Sequence, residues 1–112
     1  MEWKEGLSMS MLSLTTVEPF ENKEEAALEL LRELYVFMAK KGYSNDLLYR
    51  DAKNAKRFVH LRIWKSAEAK QEAQEDPEVH HFWMRLPEVC EISNAQHNLE
   101  LLFSSMETAP LE

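Results

Sequence analysis

The stretch from Arg57 to Leu86, RFVHLRIWKSAEAKQEAQEDPEVHHFWMRL, constrains the fold more than any other part of the chain. From Arg57 to Trp64 the residues alternate between two faces, the period of an extended strand. Val59, Leu61 and Ile63 make one face aliphatic, while Phe58, His60, Arg62 and Trp64 make the other mixed. Ser66 then offers a side-chain oxygen to cap a helix, with Glu68 at its positive end. Glu75-Asp76-Pro77 interrupts that helix. Proline is accepted at the first position of a helix, so Asp76 is expected to cap a second segment. There Val79, Phe82, Trp83 and Leu86 fall on one stripe, with His80 at its edge and His81 pointing nearly the opposite way.

The rest of the chain supplies the partners of this unit. Ser8 to Val17 reads as a first strand ended by Pro19. Its apolar phase changes between Met9/Met11 and Leu12/Leu14, which calls for a bulge or a strand covered on both faces. Asn22 to Lys41 is the clearest helix. Asn22 and Glu25 form a capping-box-like pair, and Ala27, Leu30, Leu31, Leu34, Phe37 and Met38 recur at helical spacing. Gly42 stands where a left-handed terminal residue is needed. Leu47 to Asp51 is a short strand, joined by the Ala52–Lys56 turn to the Arg57 strand as an antiparallel hairpin, with Asn54 as the bending point. Asn98 to Ser104 is expected as the last strand.

The order β-α-β-β-α-β is that of an α+β, ferredoxin-like antiparallel sheet with both helices on one face. The domain is expected to span residues 8–105, with residues 1–7 and 106–112 as flexible termini and Leu111-Glu112 resembling a cloning remnant. Helices on one face leave the other as an apolar surface that calls for a partner, and a symmetric homodimer is the simplest one. The pattern does not decide which face meets the helices.

Composition narrows the class of function. The chain has 112 residues and a formal net charge of −7, which argues against nucleic acid as a partner. There is no long apolar run for a membrane span or a signal peptide. The single cysteine, Cys90, fits a reducing, cytoplasmic compartment. No metal-ligand spacing occurs, and the only glycines, Gly6 and Gly42, make no phosphate-binding loop. Cys90 has no activating neighbour in the sequence and reads as a buried or idle thiol.

Lys41-Gly42-Tyr43, Leu48-Tyr49-Arg50-Asp51, the Asn54 turn, Phe58, Trp64-Lys65-Ser66 and the helix around His80, His81, Phe82 and Trp83 together resemble the antibiotic-biosynthesis-monooxygenase-like family of dimeric α+β barrels. That resemblance implies two ferredoxin-like subunits packed sheet to sheet, each with an apolar pocket between sheet and helices. It implies activities ranging from cofactor-independent oxygenation of aromatic polyketides or quinols to haem degradation. Two departures stand out. Where the family commonly has a glutamate two residues before the strand-ending Trp64, this chain has Arg62. The haem-degrading set of an Asn on the first strand and a Trp and a His on the second helix is not complete here. Leu14 or Thr15 occupies the Asn position and Ala73 the Trp position, with His80 and His81 near the His region.

The candidate residues follow. In a pocket, His60 would accept a proton, and Arg62, sharing its face, would hold a phenolate, enolate or carboxylate. The blander and favoured expectation puts both at the dimer interface, paired with acids of the partner. His80 is a second candidate base, or an axial haem ligand; a solvated boundary histidine is the commoner outcome, and His81 reads as surface. Trp64, Phe82 and Trp83 could wall a site for a flat aromatic ligand, with Trp64 at its edge and Trp83 in the core. The leading expectation is a cofactor-independent monooxygenase acting on a small aromatic or quinol-type molecule. The alternatives are a non-catalytic small-ligand-binding or stress-response protein of the same fold, and a haem-binding or haem-degrading protein.

Overall fold

The computed structural model describes residues 11–105. The N-terminal arm, Ser8–Ser10 of the expected first strand, and the tail from Met106 lie outside the described residues. The elements run β1 (Met11–Pro19), α1 (Glu24–Lys41), β2 (Ser44–Asp51), β3 (Asn54–Trp64), α2 (Ala67–Glu75), α3 (Pro77–Arg85), a 3-10 turn (Leu86–Glu88) and β4 (Cys90–Glu100). The four strands form one antiparallel sheet in the order β2-β3-β1-β4, the ferredoxin-like arrangement.

Local chemistry accounts for most boundaries. Ser66 Oγ accepts from Ala69 N at 3.0 Å and caps α2. Asp76 Oδ1 accepts from Glu78 N at 2.9 Å and caps α3, with Pro77 as its first residue. Gly42 ends α1 at φ 78°. Buried Ala27, Leu30, Leu31, Leu34 and Met38 of α1 pack with Val17, Phe58, Trp64, Ala73, Val79 and Leu86 as the core.

The polar-mixed face of β3 is the covered one. Phe58, His60, Arg62 and Trp64 are buried beneath the helices with Ser13, Thr15 and Val17 of β1, while Leu47, Tyr49, Ile63 and Leu99 are exposed. The favoured expectation that His60 and Arg62 meet a partner's acids is therefore corrected. Their side chains turn inward because acceptors and donors of the same chain await them there, as described below. Leu12 and Leu14 lie on the open face and Trp64 on the covered one.

Three further expectations change. Asn22 adopts φ 65° and α1 starts one turn position later, at Glu24 after Lys23, with no side-chain cap; the Asn22–Glu25 box does not form. The β1–β3 register is unbroken from Met11 to Val17, so the irregularity lies not in β1 against β3 but between β1 and β4. The last strand is Cys90–Glu100 rather than Asn98–Ser104. Its pairing slips between Leu12 and Leu14 and again between Leu14 and Thr16, and Asn94 (φ 50°) and Asn98 (φ 61°) sit in left-handed conformation within the slipped stretches. Two bulges destroy the alternation by which a strand is recognised.

Candidate functional site

A cavity of about 350 Å³ lies between the sheet and the helices. Its floor is Ser13, Thr15 and Val17 of β1, His60, Arg62 and Trp64 of β3, and Ile92 and His97 of β4. Leu31 and Leu34 of α1, Lys70 and Gln74 of α2, Trp83 of α3 and Leu86 close it from the helix side. Most of the lining is apolar, with a few fixed polar groups, the usual make-up of a small-molecule site.

The polar groups of β3 on the floor are held from behind. Arg62 Nε donates to Asp46 Oδ1 at 2.8 Å and Nη2 to Oδ2 at 3.3 Å, a bidentate pair in which the arginine side chain is 8% exposed and the aspartate 0%. The pair follows from the hairpin, since Asp46 and Arg62 stand directly opposite in the β2–β3 register. The guanidinium carbon also lies 5.5 Å from the Trp64 ring centroid. Trp64 Nε1 donates to Ser13 Oγ at 3.1 Å, which fixes the plane of the indole.

His60 is held by a tyrosine of α1. Tyr35 Oη lies 2.5 Å from His60 Nδ1 and 3.3 Å from the Leu47 carbonyl oxygen. Burial, then the charge of Asp46, push the Tyr35 phenol well above its usual range, so it stays a donor. Burial, with repulsion from Arg62, lowers His60 to about 3. The imidazole is thus neutral, with Nδ1 engaged by the Tyr35 hydroxyl. No buried side-chain nitrogen or oxygen among the described residues lacks a partner, and Nε2 has no protein partner, so this atom opens on the cavity. The arrangement presents one ring nitrogen of a neutral His60 to a ligand.

Of the six residues expected at the site, the structure brings His60, Arg62, Trp64 and Trp83 to the cavity. Phe82 stands aside, packed on Phe37 with ring centroids 5.7 Å apart. His80 is exposed on α3; its Nε2 meets the Gln74 carbonyl oxygen and its ring lies 5.6 Å from that of Trp83. His80 therefore points no ligand atom into the cavity, and His81 is likewise exposed. Ser13, Tyr35, Asp46, Lys70 and His97 were not expected. Tyr35 could have been found from its place four residues after Leu31 and three before Met38, at the edge of the core stripe of α1. Asp46 could have been found by counting the hairpin back from Asn54. His97 carries no such signal, because β4 is bulged, and Lys70 is a charged residue beside the core positions Ala69 and Ala73 of α2.

Among the described residues, no group of three or more His, Cys, Asp or Glu comes together to hold a metal ion. Cys90 is buried, its Sγ facing the Leu86 carbonyl oxygen at 3.4 Å, and burial pushes its thiol up to about 11. No helix among the described residues is long and apolar enough to cross a membrane.

The fold and cavity define a class: a ferredoxin-like α+β unit with a pocket between its sheet and helices. No protein-family model matches the chain, and no curated protein matches it. Solved structures do. A candidate antibiotic biosynthesis monooxygenase from Nitrosomonas europaea superposes with a TM-score of 0.71 at 12% identity, over 86% of this chain and 93% of its own. SnoaB, a cofactor-independent oxygenase from Streptomyces nogalater, gives 0.67 at 16% identity, over 91% of this chain and 98% of its own. A similar candidate monooxygenase from Chloroflexus aurantiacus gives 0.68 at 12% identity, over 88% and 99%. At these identities the likeness is one of fold, and the fold is the antibiotic-biosynthesis-monooxygenase-like one that the sequence resemblance implied.

Proposed function

We propose that this protein is a cofactor-independent monooxygenase of a small aromatic substrate that can form a phenolate or enolate anion. The observation that carries the proposal is the neutral His60, held by Tyr35 so that Nε2 faces the cavity beside Arg62 and Trp64. The similarity in fold to SnoaB supports it.

In this reading the ring of the substrate lies against Trp64 and Trp83. His60 Nε2–H and the Arg62 guanidinium stabilise the anion, and the surrounding apolar wall strengthens both interactions by excluding water. The substrate proton leaves to water at the mouth. The anion then gives an electron to O2, and the resulting radical and superoxide combine at a ring carbon bearing hydrogen. The hydroperoxide loses water and leaves a carbonyl: one oxygen atom stays in the product, the other becomes water, and a CH2 becomes C=O. No further reductant is needed. The Asp46 carboxylate keeps Arg62 from over-binding the anion, and the His60 proton is shared rather than transferred.

Replacing His60 by Gln should lower turnover about 100-fold, the cost of a lost oxyanion donor, while the variant stays folded. Equal loss of activity and of folded protein would remove His60 from the chemistry. A second reading, a non-catalytic binding protein, draws on the same geometry: the two most buried polar groups of the floor, His60 and Arg62, are already engaged by Tyr35 and Asp46. Its signature is saturable binding of aromatic ligands without oxygen uptake. The exposed aliphatic face of the sheet supports a homodimer, and the lone thiol supports a cytoplasmic location.

A further inference from the structure

The chain carries 20 Asp and Glu against 13 Lys and Arg, yet no carboxylate lines the cavity. Its chargeable lining residues are His60, Arg62, Lys70 and His97. Arg62 is neutralised by Asp46 beneath it. Lys70 is not: among the described residues it forms no ion pair, and its ammonium donates instead to Asn98 Oδ1. The positions that face Lys70 along α2 hold Ser66, Ala67, Ala73 and Gln74, none of them acidic, although Glu68, Glu72 and Glu75 occur on the same helix. Asn98 is the left-handed residue in the stretch where β4 slips against β1, so the bulge brings its amide to Lys70. The result is a half-buried cation without a counter-ion on the wall of a cavity that no carboxylate lines, in a protein whose net charge is strongly negative.

We infer that the cavity takes an aromatic ligand bearing an acidic group, a carboxylate first of all, whose anion meets Lys70 while its ring lies against Trp64 and Trp83. The inference deepens the proposed function and rests on its reading of the cavity as an aromatic site. A neutral ring would gain the apolar contacts alone. An acid gains in addition the one lining cation that has no carboxylate of its own, in surroundings where water screens the pair less than at an open surface. Asn98 can release the ammonium, since an amide oxygen is a weaker partner than a carboxylate.

The test is a matched pair of probes, 1-hydroxy-2-naphthoate and 1-naphthol, titrated into the full chain and followed by the indole N–H signals in NMR. The acid should bind about tenfold more tightly than the naphthol at low salt, with the advantage shrinking as salt is added. Lys70→Gln should abolish the advantage, and Lys70→Arg should keep it. Equal affinities in the unaltered protein, an advantage that survives Lys70→Gln, or no saturable binding of either probe would overturn the inference. Acid preference without any oxygen uptake would uphold it and count against the oxygenase. Oxygen uptake with no preference for acidic substrates would do the reverse.

Discussion

His60 shows how a polar residue is made acceptable inside a small domain. Alone, a buried imidazole and a buried guanidinium on the same strand face would each be costly. Tyr35 answers one and Asp46 the other, and both answers come from neighbouring elements, α1 and β2. The consequence is measurable. His60 is held at about 3 in the folded protein against an ordinary value of 6.5, so below pH 6.5 the unfolded chain binds a proton that the folded chain refuses. The contribution of His60 is therefore complete above that pH and is lost as pH falls toward the folded value. Denaturant titrations between about pH 7 and 5 should show stability falling with a slope that approaches about 1.4 kcal/mol per pH unit. His60→Gln should flatten that slope; an unchanged slope would mean that His60 is not the group that titrates.

At the scale of elements, the structure turns on where alternation is kept and where it is broken. Strand β3, the hairpin, Gly42 and the caps at Ser66 and Asp76 were legible in the sequence because each rests on a short-range rule: side-chain period, a left-handed terminal residue, an oxygen within reach of free N–H groups. Strand β4 was misplaced because Asn94 and Asn98 insert bulges that no period reveals, and the run Leu99, Leu101, Phe103 beyond it imitates a strand better than the strand itself does. The site was legible in part for a related reason. His60, Arg62, Trp64 and Trp83 lie on regular elements whose faces can be counted, and Lys70 and His97 depend on the irregular strand. His80 was singled out for its place beside the apolar stripe, but that place, at the edge, turns it to solvent. Asn98→Val should lower stability by about 1–2 kcal/mol, the cost of a side chain forced into left-handed conformation, while Asn98→Gly should be tolerated. Chemical denaturation of the two variants checks this; equal behaviour would mean that the bulge is not held by the conformation of residue 98.

At the scale of the whole molecule, the sheet divides the chain's two tasks between its faces. One face, with its satisfied polar groups, forms the cavity under the helices. The other presents Leu47, Leu61 and Leu14 in one cross-strand row, bordered by Tyr49, Val59 and Ile63. Leu47 is 44% and Tyr49 58% exposed in the single chain. Covering such a surface is the reason to expect a homodimer. Light scattering at micromolar concentration should give twice the chain mass of 13.2 kDa. Leu61→Lys, at the centre of the row, should shift the protein to the monomer, and a wild-type monomer would leave the open face without its proposed partner.

The central claim is that the cavity carries out oxygenation with no redox group beyond the substrate. The measurement that reaches it most directly uses chelator-treated protein, anthrone as an ionisable ring-methylene substrate, and oxygen labelled with 18O. Oxygen uptake above the buffer rate is expected, with one label in the new carbonyl and the other in water. Uptake no faster than in buffer, by protein shown to bind the substrate, would contradict it and leave a binding protein built on an oxygenase fold.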